Sequence, residues 1–164
     1  MKKILFILVL LISVFGITSC SNDDGNKEVK TNNRVVMATL DEDGNIVIKK
    51  EQISETATFI SYNADGIIVS FIAVRGTDGR VRIAFNTCQS CSPSPSAYFV
   101  QIGEYFECQN CGNRFHVDKI GEESGGCNPA PVEEKEEDDE TIIISAEYAR
   151  TYKDNFRNWN GPKK

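Results

Sequence analysis

The sequence predicts a β-rich (α+β) fold: a small antiparallel sheet domain with a paired-cysteine metal hairpin and a C-terminal helix. Three observations predict it. Short apolar and alternating runs recur between Gly- and Asp-bearing turns from residue 34 onward. Two Cys-x-x-Cys pairs, Cys88/Cys91 and Cys108/Cys111, flank a sixteen-residue loop. Near the end, Tyr148, Tyr152, Phe156 and Trp159 repeat at close to helical spacing.

The chain has 164 residues and opens on a different kind of segment. Lys2 and Lys3 form a positive start, and residues 4–14 are apolar except for Ser13. Phe15, Gly16 and Ile17 extend that run, and Ile17-Thr18-Ser19-Cys20 ends it with small residues before a cysteine. Charge, apolar length and cleavage chemistry together predict a secretory signal over residues 1–19. The tetrapeptide resembles the lipobox of bacterial lipoproteins, in which the thiol, here Cys20, carries the lipid. The expected location is therefore the bacterial cell envelope, on the extracytoplasmic side, with the N-terminal lipid holding the protein to the membrane. One acyl chain anchors only marginally, at about 0.8 kcal/mol per buried CH₂, so several are expected. No later apolar run is long enough to span a bilayer.

Residues 20–33 are polar and lack periodicity, as expected of a flexible tether. The domain is expected over residues 34–160. Runs 34–40 and 45–50 flank Asp41-Glu42-Asp43-Gly44, which predicts a hairpin. Residues 67–74 form a nearly continuous apolar strand, preceded by the turn Asn63-Ala64-Asp65-Gly66. After Thr77-Asp78-Gly79, residues 80–86 alternate, with Val81, Ile83 and Phe85 on one face and Arg80, Arg82 and Ala84 on the other. That pattern predicts a sheet with one face in water. Residues 133–140 are acidic apart from Lys135 and read as a solvated loop. Residues 141–144 return to strand. Ser145 then suits a helix N-cap, with Glu147 in the favourable first turn. The aromatic stripe reads as core packing, and Gly161-Pro162 as the stop.

The cysteines carry the chemistry. A two-residue gap lets both sulfurs of a pair converge on one ion, and the intervening loop folds back to deliver the second pair. Ser92-Pro93-Ser94-Pro95-Ser96 supplies a turn, and residues 98–102 and 105–107 form the return hairpin. Cys88, Cys91, Cys108 and Cys111 are thus the candidate metal ligands. With Cys20 assigned to lipid, five of the six cysteines remain. The fifth, Cys127, is a candidate additional ligand, a candidate group packed behind the ligands, or a resolving thiol. Disulfides are the competing reading, because an exported chain meets an oxidising compartment. All-thiolate sites suit zinc, mononuclear iron or a [2Fe–2S] cluster. Lys2-Lys3 without a twin arginine points to export in the unfolded state, so that metal loads outside.

Other chemistries are excluded. A net charge of −6, more negative still once Lys2 and Lys3 are removed, argues against nucleic acid as a partner. Neither cysteine pair is followed by histidine, which rules out covalent c-type haem. His116 is the single histidine, and alternation sends it outward between Phe115 and Val117. There is no Gly-rich phosphate loop, so no enzyme activity is expected.

Three segments carry a family resemblance: Ala84-Phe85-Asn86-Thr87-Cys88-x-x-Cys91, Cys108-x-x-Cys111-Gly112-Asn113-Arg114-Phe115, and Gly125-Gly126-Cys127-Asn128-Pro129-Ala130-Pro131. Together they resemble the membrane iron-sulfur containing protein FtrD-like domain, across roughly residues 34–159. The resemblance implies an iron–sulfur cluster or iron, and a role in electron transfer or ferrous iron uptake with an envelope redox or iron-transport partner. The second half also resembles a Rieske-type cluster loop, with Cys111 standing where that loop has histidine. Many relatives of this kind carry membrane-spanning helices, whereas this chain carries the tetrapeptide that resembles a lipobox. Two alternatives stand beside this reading: a structural zinc module for partner binding, and a thiol–disulfide module.

Overall fold

A computed structural model describes residues 34–162. The signal segment, Cys20 and the tether lie outside the described residues. In chain order the strands are β1 (Arg34–Met37), β2 (Thr39–Leu40), β3 (Ile46–Lys49), β4 (Thr58–Ala64), β5 (Ile67–Arg75) and β6 (Val81–Cys88). They continue with β7 (Phe99–Ile102), β8 (Tyr105–Cys108), β9 (Arg114–His116), β10 (Pro129–Pro131), β11 (Glu136–Glu137) and β12 (Thr141–Ile144), before helix α1 (Ala146–Thr151). The fold is strand-rich with one short α-helix, as the sequence predicts.

The central sheet has the order β1-β4-β5-β6-β10. Its β4–β5 hairpin turns at Asp65 and Gly66, both with positive φ (55° and 89°). Two such residues form the tight connection whose twist matches paired strands. Asn63 Oδ1 fixes the turn by accepting from the Gly66 N–H at 2.8 Å. A second sheet, β11-β12-β3-β2, covers one face of the central sheet together with α1. The third sheet, β7-β8-β9, covers the other face.

This layering overturns the expectation of a sheet with one wet face. Phe71 and Phe85 pack into one core with Ile46, Ile48, Ile142 and Ile144. Phe59, Ile72, Val74 and Ala84 pack into another with Phe99, Phe106, Val117 and Ile120. Arg82 is consequently buried, with a relative exposure of 4%. Burial of a guanidinium requires a compensating anion. Asp78, in the preceding turn, accepts from Arg82 Nη1 and Nη2 at 2.8 Å each. Asp118 and Glu122 add their charges at 3.7 and 3.5 Å. A Cβ at Gly76 would meet the Arg82 guanidinium and the Asp118 carboxylate, so a larger residue there would displace these groups.

The predicted first hairpin forms only in part. Thr39 and Leu40 pair antiparallel with β3, across a turn held by Asp41 Oδ1. Residues 34–37 instead pair in parallel with β4 in the central sheet. Ala38 is the crossing point, and its N–H still donates to Ser61 O at 2.8 Å. The acidic segment is not wholly a loop either. Glu136 and Glu137 pair with β12, and Lys50 Nζ reaches Glu137 Oε1 at 2.7 Å.

At the C-terminus Ser145 caps α1 as predicted, its hydroxyl accepting from the Tyr148 N–H at 3.0 Å. The α-helix is shorter than the aromatic spacing suggests and passes into a 3₁₀ turn over Lys153–Phe156. The stripe is core packing. Tyr152 stacks on Phe85 at 3.8 Å between centroids, and Tyr148 and Phe156 approach the same ring at 5.9 and 6.5 Å. Trp159 Nε1 donates to Asn86 O at 3.0 Å, which ties the C-terminal segment to the strand that ends in Cys88.

Candidate metal centre

Two structurally alike knuckles build the site. Cys88 ends β6 and Cys108 ends β8, and both are fully buried. In each, the chain turns so that the fourth residue on donates back to the cysteine carbonyl. The Ser92 N–H reaches Cys88 O at 2.9 Å, and the Gly112 N–H reaches Cys108 O at 2.8 Å. Gly112 has φ of 74°, which lets the second knuckle turn without a Cβ penalty. Backbone N–H groups inside the knuckles aim at sulfur: that of Cys91 at Cys88, and those of Asn110 and Cys111 at Cys108. Donors directed at sulfur stabilise a thiolate, which is the form that ligates metal.

The β7–β8 return hairpin forms as predicted, with Phe99 opposite Cys108 and Ile102 opposite Tyr105. It folds the second knuckle onto the first. The Gln109 N–H donates to Tyr98 O at 2.8 Å, and Ser94 Oγ bonds Asn110 Oδ1 at 2.6 Å, joining the two loops.

A third segment closes the cluster. The sulfurs of Cys88, Cys91, Cys111 and Cys127 all lie within 4.8 Å of one another. Cys108 stands outside that mutual set but is in contact with the sulfurs of Cys88 and Cys111. The structure therefore brings three of the four predicted ligands, Cys88, Cys91 and Cys111, into one mutual group with Cys127, and sets Cys108 beside it rather than within it. Cys127 arrives through Gly125 and Gly126, both with positive φ (88° and 56°). The two residues inside the first knuckle hold it there. Gln89 Oε1 accepts from the Gly125 N–H at 3.0 Å, and Ser90 Oγ donates to Gly126 O at 2.5 Å. The Gln89 backbone N–H donates to Asn128 O at 3.2 Å. From sequence Gln89 and Ser90 read only as polar surface residues. The Gly-Gly-Cys run was the one signal that pointed at this segment.

The electrostatics suit a cation. Burial pushes the Cys88 thiol well above its ordinary value, and contact with Cys91 adds to the rise. Burial likewise pushes Cys108 from 9.0 up to about 11. Buried thiolates need a positive charge beside them, and a metal ion supplies it. All five are free cysteines, and Cys111 is exposed. A donor set of clustered thiols with N–H groups aimed at sulfur fits a thiolate-bound metal. His116 contributes no ligand to the four-sulfur group. Its Nδ1 accepts from the Asp118 N–H at 3.3 Å, and its ring meets Tyr105 edge-on.

A pH dependence follows for the metal-free protein. A thiol whose folded value is raised contributes stability below its unfolded value and loses it as pH rises through the folded one. Denaturant midpoints of the metal-free domain should fall between pH 9.0 and about 11, the range set by Cys108. A flat profile across that range would show that the thiols are not buried as described.

Among the described residues no helix is long and apolar enough to cross a membrane. No curated protein and no solved structure matched the chain. Residues 53–156 match the family described as membrane iron-sulfur containing protein FtrD-like, a span that includes both knuckles and Cys127. The chain belongs to the FtrD-like family of membrane iron-sulfur containing proteins.

Proposed function

We propose that this protein is a lipid-anchored electron-transfer protein of the bacterial cell envelope, facing the extracytoplasmic side and serving iron uptake or handling. Its centre is iron or an iron–sulfur cluster held by thiols from the set Cys88, Cys91, Cys108, Cys111 and Cys127. The observation that carries this reading is the cluster of four sulfurs within 4.8 Å, drawn from three separate segments and including the exposed Cys111. Iron bound by thiolates changes oxidation state, which zinc does not. An exposed ligand brings such a centre close to a redox partner docked on the surface. The protein is not itself an enzyme in this reading, and it meets the membrane through lipid on Cys20.

One observation favours a second reading. Cys88 and Cys108 are fully buried, which suits a closed structural zinc site in an interaction module.

Dithionite separates the two. An electron-transfer centre should show a visible absorption band that bleaches and returns on reoxidation. A colourless protein with one zinc and no redox response would leave only the zinc module. In the same strain, Cys20→Ala should move the protein out of the membrane fraction and abolish fatty-acid labelling. Retention with label intact would remove the lipid anchor from the proposal.

A further inference from the structure

The structure assigns a single metal ion, rather than a sulfide-bridged cluster, to the thiols Cys88, Cys91, Cys111 and Cys127, with Cys108 as a buried neighbour outside the ligand set. This rests on the metal-centre reading above and departs from the iron–sulfur description of the family.

A thiolate–metal bond of about 2.3 Å places tetrahedral sulfurs about 3.8 Å apart, and two sulfurs on one ion never exceed about 4.6 Å, twice the bond length. Every pair in the four-sulfur group falls within 4.8 Å. Small side-chain adjustments therefore close the set on one ion. In a sulfide-bridged cluster, cysteines on different irons are separated by the cluster itself and stand beyond the reach of one ion. The knuckles are pinned to each other by Ser94–Asn110 and Gln109–Tyr98, so opening the set would break both contacts.

Cys127 is the ligand that completes the set. Its segment is bonded to both Gln89 and Ser90 of the first knuckle, and its carbonyl lies 3.4 Å from Cys88 Sγ. Gln89 and Ser90 act as positioning residues for it. Cys108, buried at the end of β8, touches Cys88 and Cys111 and receives two backbone N–H groups without joining the mutual group. Its place is beside the ligands, where it influences their charge.

The test uses the full mature chain in detergent, loaded anaerobically with ferrous iron alone and, in parallel, with ferrous iron plus sulfide. One iron per chain and no acid-labile sulfide is expected in both arms. Cys127→Ser should weaken iron retention against a chelator at least tenfold, while Cys108→Ser keeps one iron with a shifted absorption band. Two irons with two sulfides per chain would overturn the inference and leave the metal-centre reading standing. So would iron lost in Cys108→Ser and kept in Cys127→Ser. The wild-type stoichiometry decides between one ion and a cluster even where a variant fails to fold. No iron in either arm would overturn the metal-centre reading itself.

Discussion

Cys88→Ser should empty the centre and loosen the whole domain. Cys88 is fully buried, ends β6 beside β10, and touches both Cys91 and Cys108. Structural thiolate sites contribute about 10–16 kcal/mol of apparent binding energy in small peptides, so a lost ligand is felt as lost folding energy. Elemental analysis should show metal well below stoichiometric, and the thermal midpoint should fall toward that of chelator-treated wild type. If Cys88→Ser keeps its metal and its midpoint, the sulfur cluster is not the metal site.

Phe85→Ala should be the most destabilising change away from the sulfurs. Phe85 lies on β6 but faces the opposite core, where it stacks on Tyr152 at 3.8 Å and meets Phe71 at 4.8 Å. Truncating a buried phenyl ring costs about 3–5 kcal/mol, mostly as a cavity that the two flanking sheets cannot close. The midpoint should drop by about 10–20 °C. Metal content measured at low temperature should be unchanged, because the ring does not face the sulfurs. A drop under about 3 °C would mean that the aromatic stripe is not the keystone of that core.

These two residues also mark how far the sequence could be read. Phe85 was legible, because alternation in β6 and the stripe Tyr148, Tyr152, Phe156 and Trp159 both signal burial. The contact of Cys88 with Cys91 and of Cys108 with Cys111 was legible because a two-residue gap is a local constraint. The turn at Asp65-Gly66 and the cap at Ser145 were legible for the same reason. What was not legible depends on distant pairing. Arg82 reads as a surface cation until Asp78, Asp118 and Glu122 are seen to gather round it. Residues 34–37 read as one arm of a hairpin, and their parallel pairing with β4 has no local signature. Cys127 has no partner at a diagnostic spacing, so its entry into the cluster depends on contacts to Gln89 and Ser90 that only the fold reveals.

On the proposed reading these sulfurs hold metal rather than one another. Native-state mass spectrometry of protein isolated from the envelope under non-reducing, anaerobic conditions tests it most directly. Stoichiometric bound metal is expected, with Cys88, Cys91, Cys108, Cys111 and Cys127 all alkylated as free thiols after chelation. Two intact disulfides among these cysteines, with no bound metal, would contradict it.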